Sequence, residues 1–161
     1  MNDEDLKKRR IGYAERRCIG LKVEGIVKAI ISKTIEPLLV STGDSIDAET
    51  TSYAFEIKSC RFYNNDSQRI NGEMVHITSK GRFVIQRGQL KEFKENCTNK
   101  GKQGIVWFAV YFDEPSSYNL LQCYMTLESF EKFLEDKKEK RNIPFDKVFK
   151  EALDISELQL E

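Results

Sequence analysis

Eight consecutive residues, Ile105-Val106-Trp107-Phe108-Ala109-Val110-Tyr111-Phe112, carry no charge and only two side chains able to hydrogen-bond. The run is too short for a membrane helix, which takes about 20 apolar residues. It is rich in β-branched and aromatic residues, which suit a pleated, packed surface. It therefore reads as a strand buried on both faces, and such a strand needs a layer above it and a layer below. A chain of 161 residues forms one ordinary domain with a real core and is too short for two. The expectation is an α/β domain with a central mixed sheet, this strand in its middle and helices on both faces.

The rest of the chain can be placed around that strand. Residues 3–10 read as a charged lead-in, either frayed or the start of a helix. From Arg10 to Ile35, Leu21, Ile26, Val27, Ile30 and Ile31 recur at helical spacing and leave Lys22, Glu24, Lys28 and Ser32 towards another face. Pro37 stops that helix, because the residue before a proline is pushed out of the helical region. Leu38-Leu39-Val40 suggests a short first strand, and residues 41–45 a loop. Ile46–Glu49 and Tyr53–Cys60 predict a hairpin around Thr50-Thr51-Ser52, and Asn64–Gln68 an exposed loop. A second hairpin is expected from Glu73–Thr78 and Arg82–Gln86, turning at Ser79-Lys80-Gly81. Gly88–Asn96 predicts a short helix and Leu120–Met125 a strand. Leu127–Lys140, with Thr126 as its N-cap, predicts a helix, and Pro144 opens a last one through Leu153. On this reading the single domain, 1–161, has a core of about 10–125 and a C-terminal helical extension of about 126–161, whose tail from Asp154 is acidic.

Composition excludes several chemistries. The four cysteines, Cys18, Cys60, Cys97 and Cys123, form no CxxC pair, and His76 is the single histidine. A structural zinc site, Cys–His proteolysis and histidine general-base catalysis are therefore not expected; reduced thiols packed as small apolar groups are. The N-terminus lacks the apolar core of a secretory signal and no run could span a bilayer, so an intracellular protein without membrane contact is expected. Formal net charge is zero, but its distribution is uneven. Lys58–Lys102 holds ten Lys and Arg against four Asp and Glu, whereas from Asp113 onwards there are twelve acids and seven bases. A basic middle segment is compatible with a face for DNA.

The stretch from Asp47 to Lys58 looks built for chemistry. In Tyr53-Ala54-Phe55-Glu56-Ile57-Lys58, Phe55 and Ile57 share one face of a strand, while Glu56 and Lys58 project side by side from the other. Asp47 lies one hairpin upstream, with Asp44 as a competitor for the same role. Two carboxylates that converge with a lysine suit divalent-metal hydrolysis of a phosphodiester, and hard carboxylate oxygens fit Mg²⁺, with Mn²⁺ as a substitute. An exposed Glu-x-Lys pair is also common as a plain solvated surface pair.

In element order and in these residues the chain resembles the PD-(D/E)xK nuclease superfamily, which includes type II restriction enzymes and archaeal Holliday-junction resolvases. The resemblance covers about residues 20–112 and is carried by Gly20-Leu21-Lys22-Val23-Glu24, Ser45-Ile46-Asp47, Phe55-Glu56-Ile57-Lys58-Ser59, Gly81-Arg82-Phe83 with Gln89, and Val106–Phe112. It departs from the family pattern in Ile46, which stands where the name has proline, and in the short Asp47-to-Glu56 spacing.

The resemblance implies a restriction-endonuclease-like core. Within it, Asp47 and Glu56 would be metal ligands together with the carbonyl of Ile57. Lys58 would orient or activate the attacking water, Glu24 would match the helix acid of some members, and Gln89 would border the site. Arg61, Lys80, Arg82, Arg87 and Lys91 flank it in sequence and are candidate phosphate contacts. The leading expectation is a Mg²⁺-dependent DNA endonuclease acting as a homodimer, with a junction resolvase or other structure-specific repair nuclease as its variant. A nuclease-fold protein that binds DNA or protein without catalysis is the alternative, and an α/β interaction module using its acidic C-terminal helices is a third.

Overall fold

The computed structural model describes residues 2–40, 46–112, 114–116, 119–136 and 142–152, with backbone alone for 5–13, 65, 66 and 136. The elements run α1 (Asp3–Thr34), β1 (Ala48–Glu49), β2 (Tyr53–Arg61), β3 (Tyr63–Ile70), β4 (Glu73–Lys80), β5 (Arg82–Val84) and α2 (Arg87–Lys100), then β6 (Gln103–Tyr111), β7 (Leu120–Thr126), α3 (Leu127–Asp136), β8 (Asn142–Pro144) and α4 (Phe145–Glu151). The main sheet has the order β1-β2-β6-β7; β2 and β6 are parallel, and the two outer pairings are antiparallel. The chain is thus an α/β protein with a mixed sheet.

The apolar run is its central strand, with every residue from Gly104 to Tyr111 buried. Ile105, Trp107, Ala109 and Tyr111 face Val23, Val27 and Ile31 of α1. Val106, Phe108 and Val110 face the other way, into a layer with Phe93 and Cys97 of α2 and Phe130 and Phe133 of α3. Two helical layers thus remove both faces of β6 from water, and each fully buried aliphatic side chain contributes about 1.5–3 kcal/mol. Leu127, Ile143, Phe145 and Val148 belong to the second layer too. Thr126 caps α3 as expected, its hydroxyl accepting from the Ser129 amide at 3.2 Å.

Several sequence expectations give way to the structure. Of the two readings of residues 3–10, the helix start holds: α1 begins at Asp3, since charged lysines, arginines and glutamates are good helix formers without a core to pack against. Its buried stripe is Val23-Val27-Ile31 at spacing four, and Leu21 is 59% exposed. Leu38–Val40 is not a strand; the Leu39 amide reaches across, donating to the Glu49 carbonyl at 2.8 Å. Asn64–Gln68 is not a loop but part of β3, paired over eight residues with β4. The expected hairpin of 73–78 with 82–86 is absent: β4 pairs with β3, and β5 pairs with β8. The turn that closes the real hairpin is Asn71-Gly72, with φ of 52° and 83°, the signature of the type I′ turn whose twist matches a two-stranded ribbon.

Gly81, read as a turn residue, is instead a point of close approach. A Cβ there would stand 1.5 Å from the carbonyl oxygen of Arg61. Its amide donates to Phe62 O at 2.9 Å and its carbonyl accepts from Phe145 N at 3.2 Å. The start and finish of the β3–β4 ribbon are thereby cinched onto the body.

Candidate active site

The site grows from the difference in length between β1 and β2. Strand β1 has two residues, pairing Ala48 with Phe55 and Glu49 with Ala54, and the turn between them is short. Thr50, fully buried, accepts through its hydroxyl from the Tyr53 amide at 3.1 Å and donates its own amide to Tyr53 O at 2.9 Å. Glu49 is held by Lys100 at 2.9 Å and by Lys102 at 2.5 Å, and Lys102 also donates to Thr50 O at 2.7 Å. These bonds, the Lys102 one first, hold the Glu49 carboxyl below its ordinary pKa. They tie the β1–β2 hairpin to the end of α2 and the start of β6.

Among the described residues, no strand lies beside β2 on the β1 side beyond Phe55. Asp47 fills the first gap: its Oδ2 accepts from the Ile57 amide at 2.8 Å. In an extended strand the N–H and C=O of one residue point to the same edge. The Ile57 carbonyl therefore faces that open edge beside Asp47, as the resemblance requires of a ligand. Buried Ile46 and Ala48 anchor Asp47 on either side.

On the face of β2 opposite Ile57, Glu56 is almost fully buried, at 1% exposure. Its Oε1 meets the Lys58 Nζ at 3.1 Å, and the same ammonium donates to Gln89 Oε1 on α2 at 2.9 Å. The other carboxylate oxygen, Oε2, is buried without a hydrogen-bond partner. Burial, with the Asp47 charge second, pushes the Glu56 pKa up to about 7, partly offset by Lys58. Burial also raises Asp47, against the lowering effect of the Ile57 amide, and the Glu24 charge adds to the rise. Glu24 is thus near enough to act on both carboxylates from α1, where it is paired with Lys28 at 2.9 Å.

The structure brings Asp47, Glu56, Ile57, Lys58 and Gln89 together at one sheet edge, with Glu24 alongside. Asp44 lies outside the described residues. The basic candidates are spread more widely. Arg61 ends β2 and hydrogen-bonds Tyr111; Lys80 is engaged with Asp146 at 3.1 Å; Arg82 sits exposed on β5, and Arg87 and Lys91 are exposed on the first turns of α2. Lys28 was not anticipated. It lines a cavity of about 220 Å³ with Asp47 and Glu49, and the signal for it was the Glu24-x-x-x-Lys28 spacing, which places the two side by side on a helix.

Among the described residues no three acidic, histidine or cysteine side chains form a ready-made metal cage. The donors that are present still fit a magnesium-type ion. Two carboxylates and one carbonyl are hard oxygens, and Mg²⁺ keeps several waters rather than demanding an all-protein cage. Burial disfavours the charged form of both carboxyls, and a cation held between them would offset that cost. Comparisons of the chain with protein-family models, curated proteins and solved structures give no match.

Proposed function

We propose that this protein is a metal-dependent DNA endonuclease of the PD-(D/E)xK type, built on a restriction-endonuclease-like core. The observation that carries the reading is the convergence of Asp47, Glu56 and Lys58, with the buried Glu56 Oε2 left unpartnered. Asp47, Glu56 and the Ile57 carbonyl would hold Mg²⁺ or Mn²⁺. When bound, such an ion polarises the phosphoryl group and supplies a more acidic water. Lys58 would face the negative charge that develops on the phosphoryl oxygens, with Gln89 fixing the direction of its ammonium. No histidine base is needed. Cutting both strands of a duplex at one locus calls for two such sites, which a homodimer provides.

The test is cleavage of a panel of linear, nicked, flapped and four-way DNAs with Mg²⁺ or Mn²⁺ and with EDTA. Metal-dependent cleavage is expected, with Glu56→Gln and Lys58→Ala each lower by about 10²–10³-fold. No cleavage of any substrate, or full activity in both variants, refutes the reading. One observation favours a non-catalytic binder: the Lys58 ammonium already neutralises Glu56 at 3.1 Å. Salt-sensitive DNA binding without any thermal shift from divalent metal would support that alternative.

A further inference from the structure

The β3–β4 ribbon belongs to neither packed layer. It is a two-stranded sheet of its own, with eight residue pairs, about 26 Å long at the usual rise per residue. Every residue of β4 except the half-buried Ile77 is exposed, as are Tyr63 and Ser67 to Ile70 of β3. A ribbon that buries so little does not add to the core, yet its root is built with care. Gly81 leaves no room for a side chain against Arg61. Phe62 stacks on Phe112 at 4.4 Å and packs against Phe145 at 4.9 Å. The ribbon is an arm held rigidly at its base, and it leaves the body five residues after Lys58.

The register sorts the arm into two unlike faces. Residues directly opposite each other share a face, so the pairs Tyr63–Lys80, Ser67–His76 and Arg69–Met74 lie together. This face holds both of the arm's fixed positive charges and its histidine. Ser67 Oγ meets His76 Nδ1 at 3.1 Å, which orients the ring and leaves Nε2 for an outside partner. Lys80, near the root, is steadied by Asp146. Glu73 falls in the other register class, with Ile70, Val75 and Ile77.

We propose that this arm is the duplex-binding element of the protein: the face with Tyr63, Ser67, Arg69, Met74, His76 and Lys80 lies in a groove of double-stranded DNA and directs the helix past the site on β2. The inference rests on the nuclease reading for its choice of nucleic acid, and it adds that the substrate is held as a duplex. The major groove, about 12 Å wide, admits a two-stranded ribbon. Positive charge and hydrogen-bond donors on one face, with Glu73 on the other, match a polyanion approached from one side.

The test is fluorescence anisotropy of a labelled duplex of about 25 base pairs, and of one of its single strands, in EDTA at several salt concentrations. Wild type is compared with Arg69→Ala/His76→Ala, with Arg69→Glu, and with the opposite-face control Gln68→Ser/Val75→Thr. All are surface changes, and a thermal melt of each confirms the fold. The first two variants are expected to weaken duplex binding about tenfold or more and to shallow the salt dependence by about one ion. The control should stay within about twofold of wild type. Wild type that binds no duplex, or Arg69→Glu that binds as wild type does, overturns the proposal. So does a control that loses binding while sedimentation shows an oligomer dissociating, because the arm is then a contact between copies. Because binding is read in EDTA, its outcome is separate from that of the nuclease reading. Absence of cleavage with an intact Arg69 effect refutes only the site. Glu56-dependent cleavage with no Arg69 effect refutes only the arm.

Discussion

Glu56 gives the sharpest test of the site, because its burial makes stability depend on pH with a definite sign. The carboxyl has a pKa of about 7 in the folded chain against an ordinary 4.5. Between those values the native state holds a proton that the unfolded chain has released, so stability falls as pH rises through the window and levels off above it. A shift of about 2.5 units corresponds to about 3 kcal/mol. That is a large share of the 5–15 kcal/mol typical of a domain. Glu56→Gln keeps the shape and removes the titration. Urea unfolding, followed by far-ultraviolet circular dichroism in EDTA, should show wild type losing about 3 kcal/mol between about pH 5 and pH 8 relative to the glutamine variant. Adding Mg²⁺ at the upper pH should restore wild type alone, by about 2.7 kcal/mol at a hundredfold excess over its dissociation constant. Parallel pH curves for the two proteins would show that Glu56 is not the strained carboxyl described here. Equal magnesium stabilisation of both would show that the ion does not sit on it.

Four further perturbations probe the site and its scaffold. Lys58→Ala leaves Glu56 buried without its ion pair, and stability at about pH 8 should drop by about 3 kcal/mol, measured by urea unfolding, with little change at about pH 5 where Glu56 is protonated. Gly81→Ala forces a Cβ onto the Arg61 carbonyl and should cost about 3 kcal/mol or more in unfolding free energy. By contrast, Gly25→Ala, in a helix with open space around it, should gain about 0.5–1 kcal/mol. Glu49→Gln weakens the bonds from Lys100 and Lys102; because the Glu49 pKa is lowered on folding, its contribution is present above the ordinary carboxylate range and lost in acid, so thermal melts should separate the two proteins at neutral pH and converge towards about pH 3.

What could be read from the sequence was whatever the core dictates. The run from Ile105 to Phe112 has one place to go, and once it is central the layers on either side follow. Glu56 and Lys58 were legible for the same reason, since Phe55 and Ile57 fix the phase of β2 and the pleat does the rest. Of the β3–β4 ribbon, β4 was legible as a strand at Glu73–Thr78, but its partner was not. Nothing buries β3, and Asn64–Gln68 has the composition of a loop. The Asn71-Gly72 turn was the local signal, and it was sufficient. The pairing of β5 with β8 joins segments some sixty residues apart, a choice set by tertiary packing that no local pattern records. Lys28 and Lys102 were hidden as ordinary lysines, since only folding places them against Asp47 and Glu49.

The shortness of β1 deserves a functional rather than an incidental account. Had the β1–β2 ladder continued for two more pairs, the Ile57 amide and carbonyl would be spent on a neighbouring strand, and the Asp47 side chain would have no edge to fill. The described ladder ends at Ala48, and the next amide on that edge, Ile57, meets the Asp47 carboxylate. The close Asp47-to-Glu56 spacing, a departure from the family pattern in sequence, is what the tight Thr50–Tyr53 turn makes workable. A long hairpin could slide by a register step and carry Asp47 to the wrong side of the sheet. This one is pinned by the buried Thr50 and by the clamp of Lys102 on Glu49 and Thr50. The geometry of the carboxylate pair is therefore set by residues that never touch it.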